Sequence, residues 1–236
     1  MKIIAFDIRG KTGHFRRPDT TGAHLTYPFI TRTVTHGLIA SVLGMEKLEG
    51  EAWIGIQLCS PVKSRSQELS MLGKGWLGGG DTFNRPTSVE LVVKPHYRIY
   101  YAGDFGEKLE EMLKEKKSHY HTYLGSAYCL TFPEYIDSFY LEELYPPFPE
   151  KLSSYTVVPV HAIETLSILE GAKYGRVGGM HYDYLGDRKF NGTINIVYDY
   201  EGKIIVFEPK PIREGESNLN PFRFFKTAEG EVICLW

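Results

Sequence analysis

The pattern of apolar and polar residues predicts several strands in the first part of this chain. An apolar strand is predicted at 2–8 and a second at 51–59, and a third, interrupted at Pro95, is predicted over 88–101. A helix with an aspartate cap is predicted at 104–116, because its apolar residues fall on one side of a helical projection. A further strand is predicted at 127–132.

The clearest periodic stretch is residues 31–44, where apolar side chains recur at spacings of three and four. Thr31 or Thr33 can cap the first turn, and Gly44 can adopt the left-handed conformation that ends a helix. Arg32 lies beside the positive end of this helix, where several backbone N–H groups lack internal partners. We therefore predict a helix here. Its first turn is either a phosphate site with Arg32 as the positioning residue or an ordinary solvated turn.

The order strand, helix, strand, strand, helix, strand predicts an α+β fold. A single sheet with two helices on one face satisfies this order, and it is the ferredoxin-like arrangement that RRM-like modules also use. A proline-rich stretch at 145–149 marks a predicted boundary between domains at 1–144 and 145–236. The second domain is predicted to be smaller and β-rich, with strands at 155–160, 192–198, 204–207 and 232–235, a hairpin turn at 199–203 and a glycine-rich basic loop at 171–179.

A long insert separates the second and third predicted strands at about 60–87. Insertions of this length are usually functional or disordered, and this one mixes glycines with basic residues. We interpret it as a projecting β-hairpin that becomes ordered on a partner, and the alternative is a surface loop without a partner. Its candidate contact residues are Lys63, Arg65, Lys74, Trp76 and Arg85.

Composition excludes several classes of protein. The 236 residues are 42% apolar, and no apolar run approaches the roughly 20 residues that a membrane helix needs. We expect a cytoplasmic protein without a membrane partner, because the N-terminus lacks the features of a signal peptide. The three cysteines are far apart, which favours buried thiols, and no His, Asp or Glu cluster has the spacing of a metal site. We predict neither a metal nor another cofactor.

The charge is unevenly distributed although the net charge is only −2. Residues 9–98 carry twelve Lys and Arg against seven Asp and Glu, whereas residues 99–236 carry fourteen against twenty-one. This asymmetry suits a subunit with one face for a polyanion and other faces for proteins, although charge also varies along chains without functional meaning.

Residues 9–18 form a glycine-broken loop that carries basic side chains and one aromatic ring. Arginine matches phosphate oxygens, and an aromatic ring between basic residues can stack on an exposed base. The loop precedes the helix at 31–44, so both are predicted to contribute to one binding surface, with His36 as a packing residue or an RNA contact. The alternative is that the loop is only a solvated connector. The candidate residues outside the insert are Arg9, Lys11, His14, Phe15, Arg16, Arg17, Arg32 and His36.

Five short stretches together resemble a known family. They are residues 3–10 (Ile-Ile-Ala-Phe-Asp-Ile-Arg-Gly), 13–18 (Gly-His-Phe-Arg-Arg-Pro), 25–28 (Leu-Thr-Tyr-Pro), 37–44 (Gly-Leu-Ile-Ala-Ser-Val-Leu-Gly) and 123–125 (Tyr-Leu-Gly). In this order and spacing they resemble the CRISPR-associated Cas-five family of the RAMP superfamily, most closely its type I-B members.

The resemblance implies a fold, a function and partners. It implies a ferredoxin-like domain with a thumb hairpin at 60–87, and a subunit that binds the 5′ repeat-derived handle of the crRNA. It also implies contacts with the backbone subunit and the large subunit of a Cascade complex. No catalytic residue is expected in this role.

Two other functions remain open from the residues. Some relatives of another subtype cut repeat RNA without a metal, which requires a base, a cation and an acid, and Lys117, His119, Tyr120 and His121 supply these types. If these residues formed a strand, His119 and His121 would share a face. The other possibility, an RNA-recognition protein working alone, is disfavoured because the chain lacks the aromatic-rich strand motif of such modules.

Overall fold

The computed structural model describes residues 1–20, 22–72, 84–211 and 221–236, which form an α+β fold that is mostly β-sheet. The α+β prediction is confirmed at this level. In chain order the helices and strands are β1 (Lys2–Arg9), β2 (Thr12–Gly13), α1 (Arg32–Leu43), β3 (Ala52–Leu58), β4 (Ser64–Leu72), β5 (Asn84–Val93), β6 (His96–Gly103), α2 (Gly106–Lys114), β7 (Glu134–Tyr140), β8 (Glu142–Leu144), β9 (Leu152–Ser154), β10 (Val158–Pro159), β11 (Ile163–Ser167), β12 (Tyr174–Gly186), β13 (Lys189–Asp199), β14 (Ile205–Pro209), β15 (Arg223–Lys226) and β16 (Val232–Leu235).

Four antiparallel strands form the first sheet, in the order β3-β6-β1-β7. Along β1 the side chains alternate between two buried clusters. Ile4 packs in the cluster that contains Leu38 of α1 and Leu109 of α2, whereas Ile3 packs in the other cluster. Because successive residues of a strand face opposite sides, the sheet has one face covered by helices and a second face that carries Asp7.

The first helix agrees with its sequence signals. Thr31 has an extended backbone and its side chain accepts a hydrogen bond from the Val34 amide, while Gly44 closes the helix with φ 77°. The buried side of the helix includes Leu38, Ile39 and Val42. The predicted cap, stripe and glycine stop at 31–44 are therefore confirmed.

The second helix exists, but its predicted cap is wrong. Phe105 is the N-cap residue, with φ 62° and no side-chain capping bond. The Asp104 carboxylate instead accepts a hydrogen bond from the Glu51 amide at 2.9 Å. Asp104 therefore ties α2 to the loop before β3.

Glu110 of α2 joins the helix to both neighbouring strands. Its carboxylate pairs with Lys2 of β1 at 2.6 Å and Lys114 at 2.7 Å, and it accepts a hydrogen bond from the Ser138 hydroxyl of β7 at 2.7 Å. The bonds from Lys114, Lys2 and Ser138 lower the pKa of Glu110 to about 2.

The low pKa of Glu110 makes its contribution to stability depend on pH. We expect the contribution to be complete above the ordinary pKa of 4.5 and to disappear as the pH falls from 4.5 towards 2. Glu110→Gln should lower the melting temperature by a few degrees at pH 7 and have little effect at pH 2. Differential scanning fluorimetry across pH checks this, with the exposed Glu111→Gln as a control; equal losses at both pH values would contradict it.

The insert between β3 and β6 contains two long antiparallel strands. β4 and β5 pair from Ser64 opposite Val92 to Leu72 opposite Asn84, and β2 joins β5 to complete a three-stranded sheet. Lys74 and Trp76, two of the predicted contacts, lie outside the described residues. The predicted single third strand over 88–101 is wrong, because β5 and β6 belong to different sheets and the chain turns between them at Lys94, with φ 47°.

The remaining strands form two further sheets. One has the order β11-β14-β9-β16-β15-β8 and the other the order β10-β13-β12. β16 covers part of the second face of the first sheet. The contact is close, since a Cβ added to Gly55 of β3 would lie only 2.9 Å from the main-chain oxygen of Cys234 in β16. β8, which precedes the predicted boundary at 145, pairs with β15. The division at 145 stays a prediction.

Three other sequence predictions are corrected. Residues 127–132 form no strand, and β7 begins at Glu134 instead. Residues 199–203 connect two different sheets rather than a hairpin, because the Asp199 carboxylate accepts backbone N–H groups from Lys173 and Glu201 and redirects the chain. Much of the predicted glycine-rich loop at 171–179 belongs to β12, which has a bulge there.

Candidate nucleic-acid interface

Three chain segments meet at the base of the β4–β5 hairpin. The amide of Gly10 donates to the Pro95 carbonyl at 3.1 Å, and the amide of Lys94 donates to the Lys11 carbonyl at 2.9 Å. The amide of Val93 donates to the Lys63 carbonyl at 2.8 Å. These bonds bring the end of β1, the start of the hairpin and the turn before β6 together, although they are far apart in sequence.

Six basic side chains surround this junction. Arg9 lies opposite His96 across β1 and β6, and Arg98 lies opposite Asp7. Arg9, Lys11, Lys63 and Lys94 are exposed, while His96 and Arg98 are partly exposed. We call these six residues the cationic patch: Arg9, Lys11, Lys63, Lys94, His96 and Arg98.

A buried carboxylate fixes part of the cationic patch. Asp7 is 1% exposed and accepts bonds from Arg98 Nε at 2.8 Å, His96 Nε2 at 2.9 Å and Arg9 Nη2 at 3.2 Å. Burial alone would raise the pKa of Asp7, but the bonds from Arg98 and His96 outweigh burial and the pKa is lowered. The ionised carboxylate therefore holds three basic side chains on the second face of the sheet.

The nearest acidic residue of the hairpin is already engaged. Glu90 Oε1 accepts from the Ser64 hydroxyl at 2.7 Å, and Glu90 Oε2 accepts from the Thr26 amide at 3.2 Å. This carboxylate braces the loop before α1 against the hairpin.

Two candidate contact residues of the predicted basic loop are buried. Phe15 is 1% exposed and its ring lies 6.2 Å from that of Tyr97, so a base cannot stack on it and that prediction is corrected. His14 is 5% exposed and its Nδ1 lies 2.7 Å from the Glu90 carbonyl. The structure therefore gives His14 and Phe15 packing roles, which fix the loop against β5 and the core.

The two following arginines differ in availability. Arg17 makes a forked pair with Asp19, at 2.7 and 3.1 Å, and its guanidinium lies over the Tyr27 ring. Arg16 is exposed and donates to the Thr20 carbonyl at 2.8 Å. Of the two, Arg16 offers more unneutralised positive charge to a ligand.

Arg32 is an internal anchor, which corrects its predicted role as a phosphate contact. Its guanidinium donates to the main-chain oxygens of Trp236 and Ala52, the latter at 3.0 Å, and lies 4.4 Å from the centre of the Tyr182 ring. Only 7% of the side chain is exposed, so a phosphate cannot reach it. One turn later, the buried Nε2 of His36 has no hydrogen-bond partner among the described residues.

The remaining predicted contacts lie on the hairpin. Arg65 pairs in register with Leu91, and Arg85 pairs with Met71. Both arginines are exposed. Together with Lys63 they extend the basic surface from the cationic patch along the hairpin.

The alternative catalytic residues lie beside the C-terminal end of α1. The His119 amide donates to the Val42 carbonyl at 3.1 Å, and the His119 ring makes an edge contact with that of Tyr120 at 4.5 Å. Lys117 pairs with Glu115 at 2.8 Å, and His121 is exposed. The segment is not a strand, so the strand geometry that would give His119 and His121 a common face does not apply.

Sequence reasoning missed half of the cationic patch. His96 and Arg98 are two positions apart in β6, a spacing that places strand residues on one side, and Lys94 lies at the turn just before this strand. That pattern was available from the sequence. The position of Asp7 beneath them was not, because it depends on the pairing of β1 with β6.

The described residues show neither a candidate metal cluster nor a spanning helix. Among them, no three His, Cys, Asp or Glu side chains are grouped in a way that could hold a metal ion. Neither described helix is long and apolar enough to cross a membrane.

Three solved structures share the fold. A CRISPR protein from Archaeoglobus fulgidus is 13% identical, with a TM-score of 0.55 over 99% of this chain and 98% of that one. A chain of a CRISPR RNA-guided surveillance complex is 12% identical, with a TM-score of 0.51 over 92% of this chain and 97% of that one. A chain of the Type III-B Cmr-beta complex bound to cognate target RNA and AMPPnP is 7% identical, with a TM-score of 0.51 over 87% of this chain and 86% of that one.

Sequence comparison adds no relative. No protein-family model matches the chain, and no curated protein matches it. At such low identities the three structural likenesses show a shared fold.

Proposed function

We propose that this chain is a subunit of a CRISPR surveillance complex that binds the crRNA and caps its 5′ repeat-derived handle. The observation that carries the proposal is the cationic patch at the base of the β4–β5 hairpin. Clustered Lys and Arg neutralise phosphates and supply most of the affinity for a nucleic acid. The fold shared with a chain of a CRISPR RNA-guided surveillance complex supports the assignment to such an assembly.

In this proposal the two parts of the chain have different tasks. Residues 1–144 are a ferredoxin-like RNA-binding domain, an interpretation that the strand order β3-β6-β1-β7 supports. The β4–β5 hairpin is its thumb, and residues 145–236 are the β-rich domain. The protein surfaces outside the cationic patch contact the backbone and large subunits of a Cascade complex, most like that of type I-B.

Shortening the hairpin tests its role in assembly. Leu69 and Thr87 are paired in register, so an Asn-Gly turn between them can replace residues 70–86 with little disturbance of the sheet below. We expect the shortened chain to fold, but to recover several-fold less guide RNA in the assembled complex. Circular dichroism and sequencing of the 5′ ends of co-purified RNA measure the two outcomes.

An Asn-Gly turn placed in a second hairpin should leave guide RNA unchanged. Residues 187 and 188 form the turn of the exposed β12–β13 hairpin and can be replaced by Asn-Gly as the control. Normal guide RNA in the β4–β5 variant would show that this hairpin is a surface loop without a binding role.

The alternative of a metal-independent repeat endoribonuclease makes a different prediction. Lys117 is paired with Glu115, so a cation for the developing phosphate charge would first have to leave that pair. Purified protein incubated with labelled repeat RNA and a chelator should leave it intact. Cleavage that is lost in His119→Ala would support the nuclease instead.

A further inference from the structure

An acidic groove runs between the loop after α1 and the distal part of β12. Two adjoining cavities of about 550 and 590 Å³ form it, and both are lined by Lys47, Glu49, Tyr184 and Leu185. Aromatic and aliphatic side chains, including Trp53, Tyr182 and Tyr184, contribute apolar surface to its walls. The groove is therefore deep enough for side chains and partly apolar.

Carboxylates from both sides dominate the charge of the groove. Glu46, Glu49 and Glu51 belong to the loop, and Asp183 and Asp187 belong to β12 and its turn. Among the described residues, the basic side chains that line it are Lys47, Arg188 and Arg32. Arg32 is buried, donates to main-chain oxygens and pairs with Asp183 (Nε to Oδ1, 3.5 Å), so the carboxylates without this partner are those of Glu46, Glu49, Glu51 and Asp187. An RNA phosphate backbone would be repelled here, in contrast to the cationic patch.

A buried polar atom lies in the lining of the same groove. His36 lines the first cavity, and its buried Nε2 has no hydrogen-bond partner among the described residues. Burial lowers the pKa of His36 to about 3, so the ring is neutral at physiological pH and one of its nitrogens accepts hydrogen bonds. A donor that enters the groove can compensate an atom whose burial is otherwise unfavourable.

We propose that the acidic groove is a docking site for an arginine-bearing segment of a partner protein. A guanidinium is planar, donates to carboxylates in a fork and stacks on aromatic rings. These properties match the rim carboxylates, the exposed ring of Tyr184 and the acceptor at His36. The groove is distinct from the RNA surface, so this inference goes beyond the proposed function and does not require it.

A pair of peptides tests the groove directly. The probe is a fluorescently labelled Gly-Arg-Leu-Arg-Gly peptide, and its partner carries citrulline, which keeps the shape of arginine without the charge. At low salt we expect saturable binding by fluorescence anisotropy, roughly tenfold tighter for the arginine peptide. The shift of the Trp53 indole N–H signal in NMR spectra locates the binding. Absence of saturable binding, or equal binding of the two peptides, would overturn the proposal.

Charge reversal tests whether peptide binding depends on the carboxylates of the groove or only on the net charge of the protein. The double variant Glu46→Lys and Glu49→Lys should bind the arginine peptide roughly tenfold more weakly. The control, Glu170→Lys and Glu229→Lys, changes the net charge equally at exposed sites that do not line the groove and should bind normally. Unchanged binding by the groove variant would overturn the proposal.

The outcomes for the groove and for RNA binding can be told apart. The groove variant should retain normal affinity for guide RNA, because its substitutions lie outside the cationic patch. Loss of peptide binding with normal RNA binding supports the groove and leaves the proposed function intact. Loss of RNA binding with normal peptide binding would place the RNA surface in the groove and overturn both assignments.

Discussion

Reversal of charge at Lys11, Lys63 and Lys94 is expected to weaken binding of single-stranded repeat RNA by roughly a hundredfold at physiological salt. The three ammonium groups are exposed, and backbone bonds between their segments keep them at one junction. Each reversal removes a phosphate contact and adds a repulsion. Fluorescence anisotropy with the Lys11→Glu, Lys63→Glu, Lys94→Glu variant measures the loss.

The salt dependence of the RNA affinity shows whether lost phosphate contacts cause the weaker binding. Three lost phosphate contacts should reduce the slope of log affinity against log salt by about two, because single-stranded nucleic acid gives about 0.7 for each contact. A variant with Lys108, Lys151 and Lys226 changed to Glu has the same net charge, and these exposed lysines lie outside the patch. An unchanged slope and affinity in the patch variant would remove the cationic patch from RNA binding.

Elements with strong local signals could be predicted from the sequence. β1 and α1 were correct because β1 is apolar at every interior position except Asp7, and α1 has a cap, an apolar stripe and a glycine stop. The strand predicted at 127–132 was wrong although Tyr128, Leu130 and Phe132 alternate with buried residues. These three side chains are exposed, and no strand among the described residues pairs with this segment along its length. Alternation describes the two sides of an extended chain and says nothing about its hydrogen-bond partner.

Only part of the candidate site could be predicted, for a related reason. Arg9, Lys11 and Lys63 were identified as basic residues near glycines, whereas their grouping with Lys94 depends on bonds between distant segments. The sequence also did not show which side chains are buried, and Phe15 is buried rather than at the surface. A basic or aromatic side chain near a loop is a contact only if the tertiary fold leaves it exposed.

Replacement of Arg32 by Met is expected to have the largest effect on stability. The change keeps much of the side-chain volume but removes the donors to the main-chain oxygens of Trp236 and Ala52. Burying polar groups without partners, and breaking a buried charged network, costs about 3 kcal/mol or more. For a chain of this length that is a fall in melting temperature of roughly 6–12 °C.

The same variant decides between two roles for Arg32. As an internal anchor, it connects α1 to the first residue of β3 and to the residue after β16. The folded variant should therefore bind RNA with normal affinity when measured well below its melting temperature. Arg16→Met is the matched control, because Arg16 is exposed and its loss should change stability by less than about 0.5 kcal/mol. If Arg32→Met instead melted normally and lost RNA, the interpretation of Arg32 as a phosphate contact would be right. The two roles therefore differ in which measurement changes, since an anchor acts on the folding equilibrium and a phosphate contact acts on the binding equilibrium.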